Sequence, residues 1–237
     1  MFEPVWIPPG APPRFPDPRL ADADGLVAFG GDLSVARLLA AYRSGVFPWF
    51  DENTPPLWWS PDPRAVLTPA TLHVPRRLER TIRRGGFEVT LDRAFRRVME
   101  ACSVGRSDGT WILPEMVDAY EAVHRAGHAH SVEVWIDGEL SGGIYGVRVG
   151  GLFAAESKFH TRTDMSKVAL VALARSFFAA GGQLIDVQFR TPHLARLGVV
   201  EVPRLEYLAR VGEIADLAVR FGTEGVPVSA SRDGPLA

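Results

Sequence analysis

The sequence predicts an α+β protein, with a small α/β unit at the N-terminus and a larger unit in which helices flank a mixed sheet. The order of elements in the second half supports this prediction, because strand, strand, strand, helix, strand, helix places neighbouring strands in one sheet. Composition supports it too. Over 237 residues, 46% hydrophobic and 23% charged residues are typical of a globular protein with a sizeable core.

The chain divides into three parts. Residues 1–62 form the small unit with a Pro/Trp-rich loop, residues 63–221 form the larger unit, and residues 222–237 are predicted to be a flexible tail. The formal net charge of -2 means that any affinity for nucleic acid must come from a local patch. The single cysteine, Cys102, excludes an internal disulfide, and no run is long and apolar enough to span a bilayer. We therefore expect a cytoplasmic protein.

The first elements are a proline-rich lead and one helix. The prolines predict an extended lead over the surface. The segment GGDLSVARLLAAYRSG predicts a helix, because Asp32 or Ser34 can cap it and Gly45 can end it. The next segment, VFPWFDENTPPLWWSPDPR, fits neither a helical nor a strand period. Its aromatic residues are either local core or an exposed stacking surface for a nucleobase, with Trp49 and the later Trp111 as the candidates.

A short basic helix follows in PRRLERTIRRGG. Arginines repeat at helical spacing along one face of it, namely Arg76, Arg80, Arg83 and Arg84. The face is either simply solvated or a binding surface for a polyanion. Like charges at this spacing repel, and an RNA backbone would relieve that repulsion.

The rest of the chain alternates strands and helices. FEVTL predicts a strand, and LDRAFRRVMEACS and PEMVDAYEAVHRAG predict helices. Residues 129–159 predict a three-stranded antiparallel meander, in which glycines 142, 143 and 146 indicate a bulge or the close approach of a ligand. A helix capped by Asp164 or Ser166, a strand LIDVQF, a short helix PHLARLG and a helix over PRLEYLARVGEIADLAVRF complete the chain.

Polar side chains on apolar strands indicate the site. Glu156, Asp186 and Gln188 are expected at or near strand ends. A single buried polar group is usually only hydrogen-bonded, but three on neighbouring strands favour a functional site. Three histidines, His124, His128 and His130, fall on a helix, a turn and a strand without completing a tetrahedral set, so we predict no metal.

Several segments together resemble one family. They are GLVAFGGDLSVARLLAAYRSGVFPWF, LWWSPDPRAVL, DGTWI, GHAHSVEVW, GGIYGVRVGGLFAAES, SKVALVAL, LIDVQ and HLARLGVVEVPRLEYL, in order over most of the chain. The combination resembles the leucyl/phenylalanyl-tRNA-protein transferases. The resemblance implies an acetyltransferase-like (GNAT-like) fold for the larger unit and no metal or cofactor. It also implies transfer of leucine or phenylalanine, with methionine as a further donor, from aminoacyl-tRNA to the N-terminal Arg or Lys of proteins, forming a peptide bond and a degradation signal.

The resemblance also implies residue roles. Gln188 would accept a hydrogen bond from the incoming amine, Asp186 would polarise Gln188, and Glu156 would help hold an amine. Trp49 and Trp111 would hold the terminal adenosine of the tRNA. The four arginines named above would contact the tRNA backbone. The pocket for the aminoacyl side chain would consist of Ile144, Phe153, Leu170, Phe177 and Ile185.

Three positions depart from the family pattern. Lys158 stands where methionine is usual, and His160 and Arg196 stand where serine is common. Lys158 is harmless if it points to the strand face opposite Glu156, whereas a bulged strand would let it line a pocket.

Two other functions remain open at this point. An acyl-CoA-dependent N-acetyltransferase would need a glycine-rich loop for pyrophosphate, which FHTRTDMSK lacks. A noncatalytic tRNA-binding module would need only the arginines and tryptophans, and would leave Asp186 and Gln188 without a role.

Overall fold

The N-terminal unit is a four-stranded sheet packed against one helix. The computed structural model describes residues 3–104 and 110–222, so nearly all of the predicted tail lies outside the described residues. The elements of this unit are β1 (Val5–Ile7), β2 (Leu26–Gly30), α1 (Val35–Arg43), β3 (Phe47–Pro48) and β4 (Leu57–Trp59), with a short 3-10 helix at Pro18–Leu20. The strand order is β1-β2-β4-β3, with β1 parallel to β2 and the other pairs antiparallel.

The structure confirms helix α1 and corrects the interpretation of the segment after it. The Ser34 hydroxyl caps α1 by accepting the Arg37 N–H, and Gly45 ends it with a φ of +73°. The segment predicted to be irregular instead contains β3 and β4, which pair through Phe47 and Trp59. Proline is tolerated there because β3 is the edge strand.

The larger unit is built on a seven-stranded mixed sheet in the order β11-β5-β10-β9-β8-β7-β6. Its strands are β5 (Arg64–Leu67), β6 (Glu88–Leu91), β7 (Ala129–Ile136), β8 (Glu139–Val149), β9 (Leu152–His160), β10 (Leu184–Gln188) and β11 (Val200–Val202). Its helices are α2 (Arg76–Arg84), α3 (Phe95–Ser103), α4 (Pro114–Arg125), α5 (Met165–Ala179), α6 (Pro192–Ala195) and α7 (Arg204–Ile214). Only β9 and β10 pair in parallel. The predicted α+β class, the mixed sheet and the meander are confirmed.

Two helix ends differ from the predictions. The Asp164 side chain makes no capping hydrogen bond and instead pairs with Lys167. The last helix was predicted to run to Phe221 but ends at Ile214. The Ile214 carbonyl accepts the N–H groups of both Gly151 and Leu217, so the chain turns after α7 and is bonded to the β8–β9 turn instead of continuing the helix.

Apolar side chains cover both faces of the larger sheet. On one face, α5 and α2 bury residues such as Leu170 and Leu78. On the other, α3 and α4 form one core with the N-terminal unit, in which Tyr42 of α1 and Tyr120 of α4 are fully buried. The two units therefore share a core.

The sheet opens between β9 and β10. Their parallel pairing stops at Asp186 and Ala154. Immediately beyond, β9 carries a bulge against β8: Ala155 pairs with Gly146 and Ser157 pairs with Tyr145, leaving the residue between them unpaired. That residue is Glu156, which therefore lies in the middle of β9 and not near its end as predicted. The bulge and the lost pairing create a cleft at this point.

Candidate active site

A pocket that is partly open to solvent occupies the cleft between β9 and β10. Its lining combines apolar and polar side chains, namely Ile144, Ala155, Glu156, Ser157, Lys158, Leu170, Val187, Gln188 and Leu194. Concave sites with apolar walls and a few converging polar groups are typical of small-ligand binding. The cleft thus brings Glu156 and Gln188 of the predicted triad to one wall.

Glu156 is held in its neutral form at neutral pH. Burial raises the pKa of its carboxyl group to about 8, an effect that hydrogen bonding from Tyr42 opposes and the nearby charge of Asp186 reinforces. The Tyr120 hydroxyl donates to Glu156 Oε2 at 3.4 Å, and the Tyr42 and Tyr120 hydroxyls lie 2.5 Å apart. Burial also raises the pKa of both tyrosines well above the ordinary value. The result is an uncharged chain of proton donors, in which both tyrosines are buried and the partly buried Glu156 borders the pocket.

The Gln188 side chain bridges the separated strands. Its best-satisfied amide orientation lets Nε2 donate to the backbone carbonyls of Val187 and Ala155, at 3.1 Å each. These carbonyls lie beyond the last β9–β10 pair. In that orientation Oε1 takes the position 3.5 Å from Glu156 Oε1, so the amide oxygen faces the neutral carboxyl group. Gln188 is thereby fixed as a hydrogen-bond acceptor at the pocket wall.

Asp186 is fully buried and fully paired. Its carboxylate accepts from Arg64 Nε at 2.9 Å and Nη2 at 2.7 Å, from the Tyr207 hydroxyl at 2.9 Å, and from the backbone N–H of Gln188 at 2.9 Å. Burial alone would lower the pKa of the Arg64 guanidinium, but the charge of Asp186, its hydrogen bonds and the nearby Tyr207 and Glu156 together raise it. Asp186 thus contacts Gln188 through the backbone and not through the side-chain amide.

The two predicted base-stacking residues lie in different settings. Trp49 is 44% exposed, and its ring lies 6.2 Å from Trp59 and 5.8 Å from Phe189, centroid to centroid. Trp111 is partly buried against the shared core. Among the ring contacts of the described residues, Trp49 meets no ring of Trp111.

The five predicted pocket residues separate into two groups. Ile144 and Leu170 line the pocket. The other three, Phe153, Phe177 and Ile185, lie in the core behind it and do not line it. Residues on one apolar face share a spacing whether they border a cavity or not, so the sequence could not separate the groups.

Lys158 lines the pocket, since the strand is bulged. It pairs with Ile144 across β8 and β9. On α6, the pKa of His193 is lowered mainly by burial and further by the positive charges of Lys158 and Lys167. The pocket therefore has apolar walls and a cationic rim.

The arginines of α2 are exposed on its surface, as the spacing predicts. Glu79, the one acidic residue in the helix, pairs with Arg175 of α5 at 2.8 Å. Within the described residues, no ion pair neutralises Arg76, Arg80, Arg83 or Arg84. The charge of the basic stripe is therefore not offset by an acidic partner in the part of the chain that the structure describes.

Sequence reasoning missed several residues that shape the site: Tyr42, Arg64, Tyr120, Phe189 and Tyr207. The only sequence signal was an arginine at the start of an apolar strand, which requires a buried anionic partner. The partner lies 122 residues away in the chain, so the sequence could not identify it.

Residues 3–104 and 110–222 contain neither a helix that could span a membrane nor a group of candidate metal ligands. No helix there has the length and apolarity needed to cross a bilayer. In the same residues, His124 Nδ1 bonds the carbonyl of Ala129 and His130 Nδ1 bonds Asp92, and no three candidate ligands converge on a metal position.

The chain matches known proteins along most of its length. The leucyl/phenylalanyl-tRNA protein transferase family matches residues 66–212, and the N-terminal domain of that family matches residues 31–62. The leucyl/phenylalanyl-tRNA–protein transferase of Anaeromyxobacter sp. (strain Fw109-5) is 56% identical over 206 residues, which cover 85% of this chain and 87% of the relative. The enzyme of the same name from Pectobacterium atrosepticum is 49% identical over 211 residues, covering 88% and 90%.

The chain also aligns with solved structures, but less completely. The GCN5-related N-acetyltransferase from Sphaerobacter thermophilus aligns with a TM-score of 0.39 at 15% identity, over 78% of this chain and 60% of that one. A GCN5-related N-acetyltransferase from Kribbella flavida aligns with a TM-score of 0.35 at 15% identity, over 70% and 59%. The sheet order and the helices, and not these partial similarities, define the fold class.

The family and relative matches assign the class of protein first: it is an enzyme, an acyltransferase that uses aminoacyl-tRNA. More specifically, the chain belongs to the leucyl/phenylalanyl-tRNA–protein transferase family. Membership in a transferase family favours an enzyme over the noncatalytic tRNA-binding module.

Proposed function

We propose that this enzyme transfers leucine, phenylalanine or methionine from aminoacyl-tRNA to the N-terminal Arg or Lys of acceptor proteins. One observation carries the proposal: Gln188 presents an acceptor oxygen beside the neutral Glu156 carboxyl group, at the wall of a pocket with apolar sides. An apolar pocket fits an aliphatic or aromatic aminoacyl side chain, and a fixed acceptor fits an amine nucleophile.

The reaction needs positioning more than activation, because the aminoacyl ester is already reactive. The acceptor α-amine must first lose a proton, since its ordinary pKa is about 8. Its nitrogen then attacks the ester carbonyl carbon, the bond from that carbon to the ribose oxygen breaks, and a proton passes from nitrogen to the leaving oxygen. Gln188 Oε1 accepts from the attacking N–H and aligns it, and Glu156 borders the same space.

Asp186 acts in this proposal as a positioning residue. Its carboxylate oxygens are occupied by Arg64, Tyr207 and the Gln188 N–H, so no free acceptor remains for the amine proton. Its negative charge holds the Gln188 backbone, which in turn fixes the amide. Polarisation of the Gln188 side chain by Asp186, implied by the family resemblance, has no direct contact to act through.

The remaining substrate contacts follow from charge and exposure. Trp49 and Trp111 are proposed to hold the terminal adenosine, and the α2 arginines to hold the tRNA backbone. Ile144 and Leu170 would contact the aminoacyl side chain. The residues behind them, Phe153, Phe177 and Ile185, would set the depth of the pocket. We also propose a cytoplasmic location and a role in marking acceptor proteins for degradation.

The test is an assay with two donors. The enzyme is incubated with leucyl-tRNA and a peptide that begins with Arg, and in parallel with acetyl-CoA and the same peptide. We expect leucyl-peptide only, with Gln188→Ala strongly reducing its formation while tRNA affinity is retained. Acetyl-peptide formation would instead support the N-acetyltransferase, and loss of tRNA binding in Gln188→Ala would contradict the assigned role.

Lys158 offers a sharper test of donor selection. Lys158 lines the pocket, so an apolar side chain that enters would take water away from a charged group, which is unfavourable. We expect Lys158→Met to lower KM for leucyl-tRNA, measured beside phenylalanyl-tRNA and methionyl-tRNA.

The control for Lys158→Met is Lys167→Met, which removes the same charge from a residue that pairs with Asp164 outside the pocket lining. Equal donor constants in Lys158→Met and the unmodified enzyme would show that Lys158 has no part in selection.

A further inference from the structure

The end of β10 makes a tight turn centred on Gln188. Gln188 has a left-handed φ of +57°, which is unfavourable for a residue with a side chain. The N–H of Phe189 donates to the Val187 carbonyl at 2.7 Å, and the N–H of Gln188 donates to Asp186 Oδ1 at 2.9 Å. These bonds carry the chain out of the sheet and place Phe189 directly beside the residue that faces the pocket.

Phe189 joins this turn to the N-terminal unit. Its ring centroid lies 5.8 Å from that of Trp49 with the planes at 56°, and 6.3 Å from that of Phe47 with the planes at 84°. Trp49 is itself held by Trp59, whose Nε1 donates to the Trp49 carbonyl at 2.7 Å. That bond fixes the Trp49 backbone, and the Trp49 ring itself packs against Trp59 of its own unit and Phe189 of the other.

Both rings remain open to solvent. Phe189 is 47% exposed and Trp49 is 44% exposed, although the molecule has a core into which aromatic side chains could pack. Two half-exposed rings in contact offer adjoining flat apolar surfaces. A ligand with a large planar face gains most from such a surface, and each nucleobase that stacks on an aromatic side chain contributes to affinity.

We propose that Phe189 is the second ring of a base platform with Trp49, and that it positions the terminal purine nucleoside of the donor relative to Gln188. The inference rests on the proposed function, because it takes charged tRNA as the donor. Since one turn carries both the Phe189 ring and the Gln188 amide, a base seated on the platform places its ester at a set distance from that amide. Phe189 is a positioning residue in this scheme.

The test uses Phe189→Leu, which keeps an apolar side chain but removes the aromatic face, and Phe189→Tyr, which keeps that face. The donors are leucyl-tRNA and leucyl-adenosine, an ester that retains only the terminal nucleoside. For leucyl-adenosine we expect Phe189→Leu to raise KM by about fivefold or more, the lower end of the contribution of base stacking. Phe189→Tyr should stay within about twofold of the unmodified enzyme, and KM for the acceptor peptide should not change in either variant.

The matched control is Trp6→Leu, since Trp6 is 50% exposed and packs on Phe29 in the outer part of the N-terminal sheet. It should leave KM for both donors unchanged. Thermal unfolding of every variant checks that the fold is intact. A combined Trp49→Leu/Phe189→Leu variant should raise KM by less than the product of the single effects, because the two rings share one ligand.

The proposal is overturned if Phe189→Leu leaves KM for leucyl-adenosine unchanged, or if Phe189→Tyr raises it as much as Phe189→Leu does. That result would leave the proposed function standing, since the unmodified enzyme would still form leucyl-peptide. If the unmodified enzyme formed no leucyl-peptide from leucyl-tRNA, the proposed function would fail first, and this inference with it.

Discussion

The two carboxyl groups of the site, those of Asp186 and Glu156, lie close together but have different surroundings. Asp186 is paired with a buried cation, Arg64, and also accepts hydrogen bonds from the Tyr207 hydroxyl and the Gln188 backbone N–H. The hydrogen-bonding neighbours of Glu156 include Tyr120 and Gln188, which are both uncharged. Burial therefore favours the neutral form of Glu156 and raises its pKa to about 8.

The raised pKa of Glu156 predicts a pH-dependent stability difference. The unfolded carboxyl ionises near its ordinary pKa of 4.5, whereas the folded one stays protonated until about pH 8. Stability from this group is therefore fully present below pH 4.5 and is lost as pH rises through that window. Glu156→Gln removes the titration, so its free energy of unfolding relative to the unmodified protein should increase from pH 4.5 to pH 8 and then level off. Urea denaturation across this range measures it.

The control for Glu156→Gln is Glu201→Gln, which removes an exposed carboxyl group from β11. The difference between each variant and the unmodified protein cancels the titration of all other groups. A difference for Glu156→Gln that stays constant between pH 4.5 and pH 8 would show that burial does not hold the carboxyl group neutral.

Removing one partner of the buried Arg64–Asp186 pair should lower the free energy of unfolding strongly, because the other partner is left buried and unpaired. Arg64→Met leaves Asp186 buried without its cation, and removing one partner of such a pair typically costs about 3–5 kcal/mol. The double variant Arg64→Met/Asp186→Asn should be less destabilised than the sum of the single variants, because no unpaired charge remains. Denaturant unfolding of the single and double variants gives these values.

An exposed pair provides the comparison. Arg43 and Asp216 are 2.6 Å apart, but their side chains are 52% and 85% exposed. Arg43→Met should therefore cost no more than about 1 kcal/mol. If Arg64→Met cost as little as Arg43→Met, the buried pair would not be holding the end of β10.

Helix α2 carries exposed arginines that form no ion pair with an acidic side chain among the described residues. Its exposed arginines repel one another, and Glu79 is engaged by Arg175. Replacing Arg80, Arg83 and Arg84 by Gln should weaken tRNA binding and flatten its dependence on salt, by about 0.7–0.9 in log–log slope per lost phosphate contact. Binding measured over a range of salt concentrations gives the slope, and the free energy of unfolding should not fall.

A control variant carries the same change of charge elsewhere. Three exposed arginines on other surfaces replaced by Gln serve this purpose, namely Arg14, Arg125 and Arg210. If both triple variants lost tRNA affinity equally, overall charge and not the α2 stripe would account for binding.

The elements show what a sequence can and cannot predict. Long elements with a clear period, such as α4 and the meander, were predicted from sequence because each repeats its pattern several times. Strands β3 and β11 have two and three residues, too few to show a period, and the four residues of β5 are all buried and do not alternate. The glycines of β8 predicted a bulge or the close approach of a ligand: the bulge is present at Gly146, whereas the atoms that approach these glycines belong to the protein. A Cβ at Gly146 would lie 2.1 Å from the Ala154 carbonyl oxygen, and one at Gly142 would lie 2.6 Å from Cβ of Met165.

The candidate site was predicted in part for a similar reason. Glu156 and Gln188 could be selected because a polar side chain on an apolar strand is unusual. The bulge that exposes Glu156 and the turn that exposes Phe189 depend on which strands are neighbours, and that follows from contacts distant in sequence. Pairing between Arg64 and Asp186 is distant in the same way.

At the scale of the whole molecule, the two units are joined by their core and by the site. Tyr42 and Trp49 come from the N-terminal unit, whereas Tyr120 and Phe189 come from the larger one. Each pair brings a side chain of one unit into contact with a side chain of the other at the pocket or the platform. Separation of the units would therefore remove groups from the site and expose the shared core.

The shared core predicts that the two units unfold together. Four of the six tryptophans, Trp6, Trp49, Trp58 and Trp59, belong to the N-terminal unit, so a Trp111→Phe/Trp135→Phe variant reports that unit alone by fluorescence. Far-UV circular dichroism of the same variant reports mainly the larger unit, which contains six of the seven α-helices within residues 3–104 and 110–222. Because unfolding either unit would expose Tyr42 and Tyr120 to water, we expect both probes to give one urea transition with the same midpoint. A fluorescence transition at lower urea than the dichroism transition would show that the N-terminal unit opens independently, and the donor platform would then be assembled only when the two units dock.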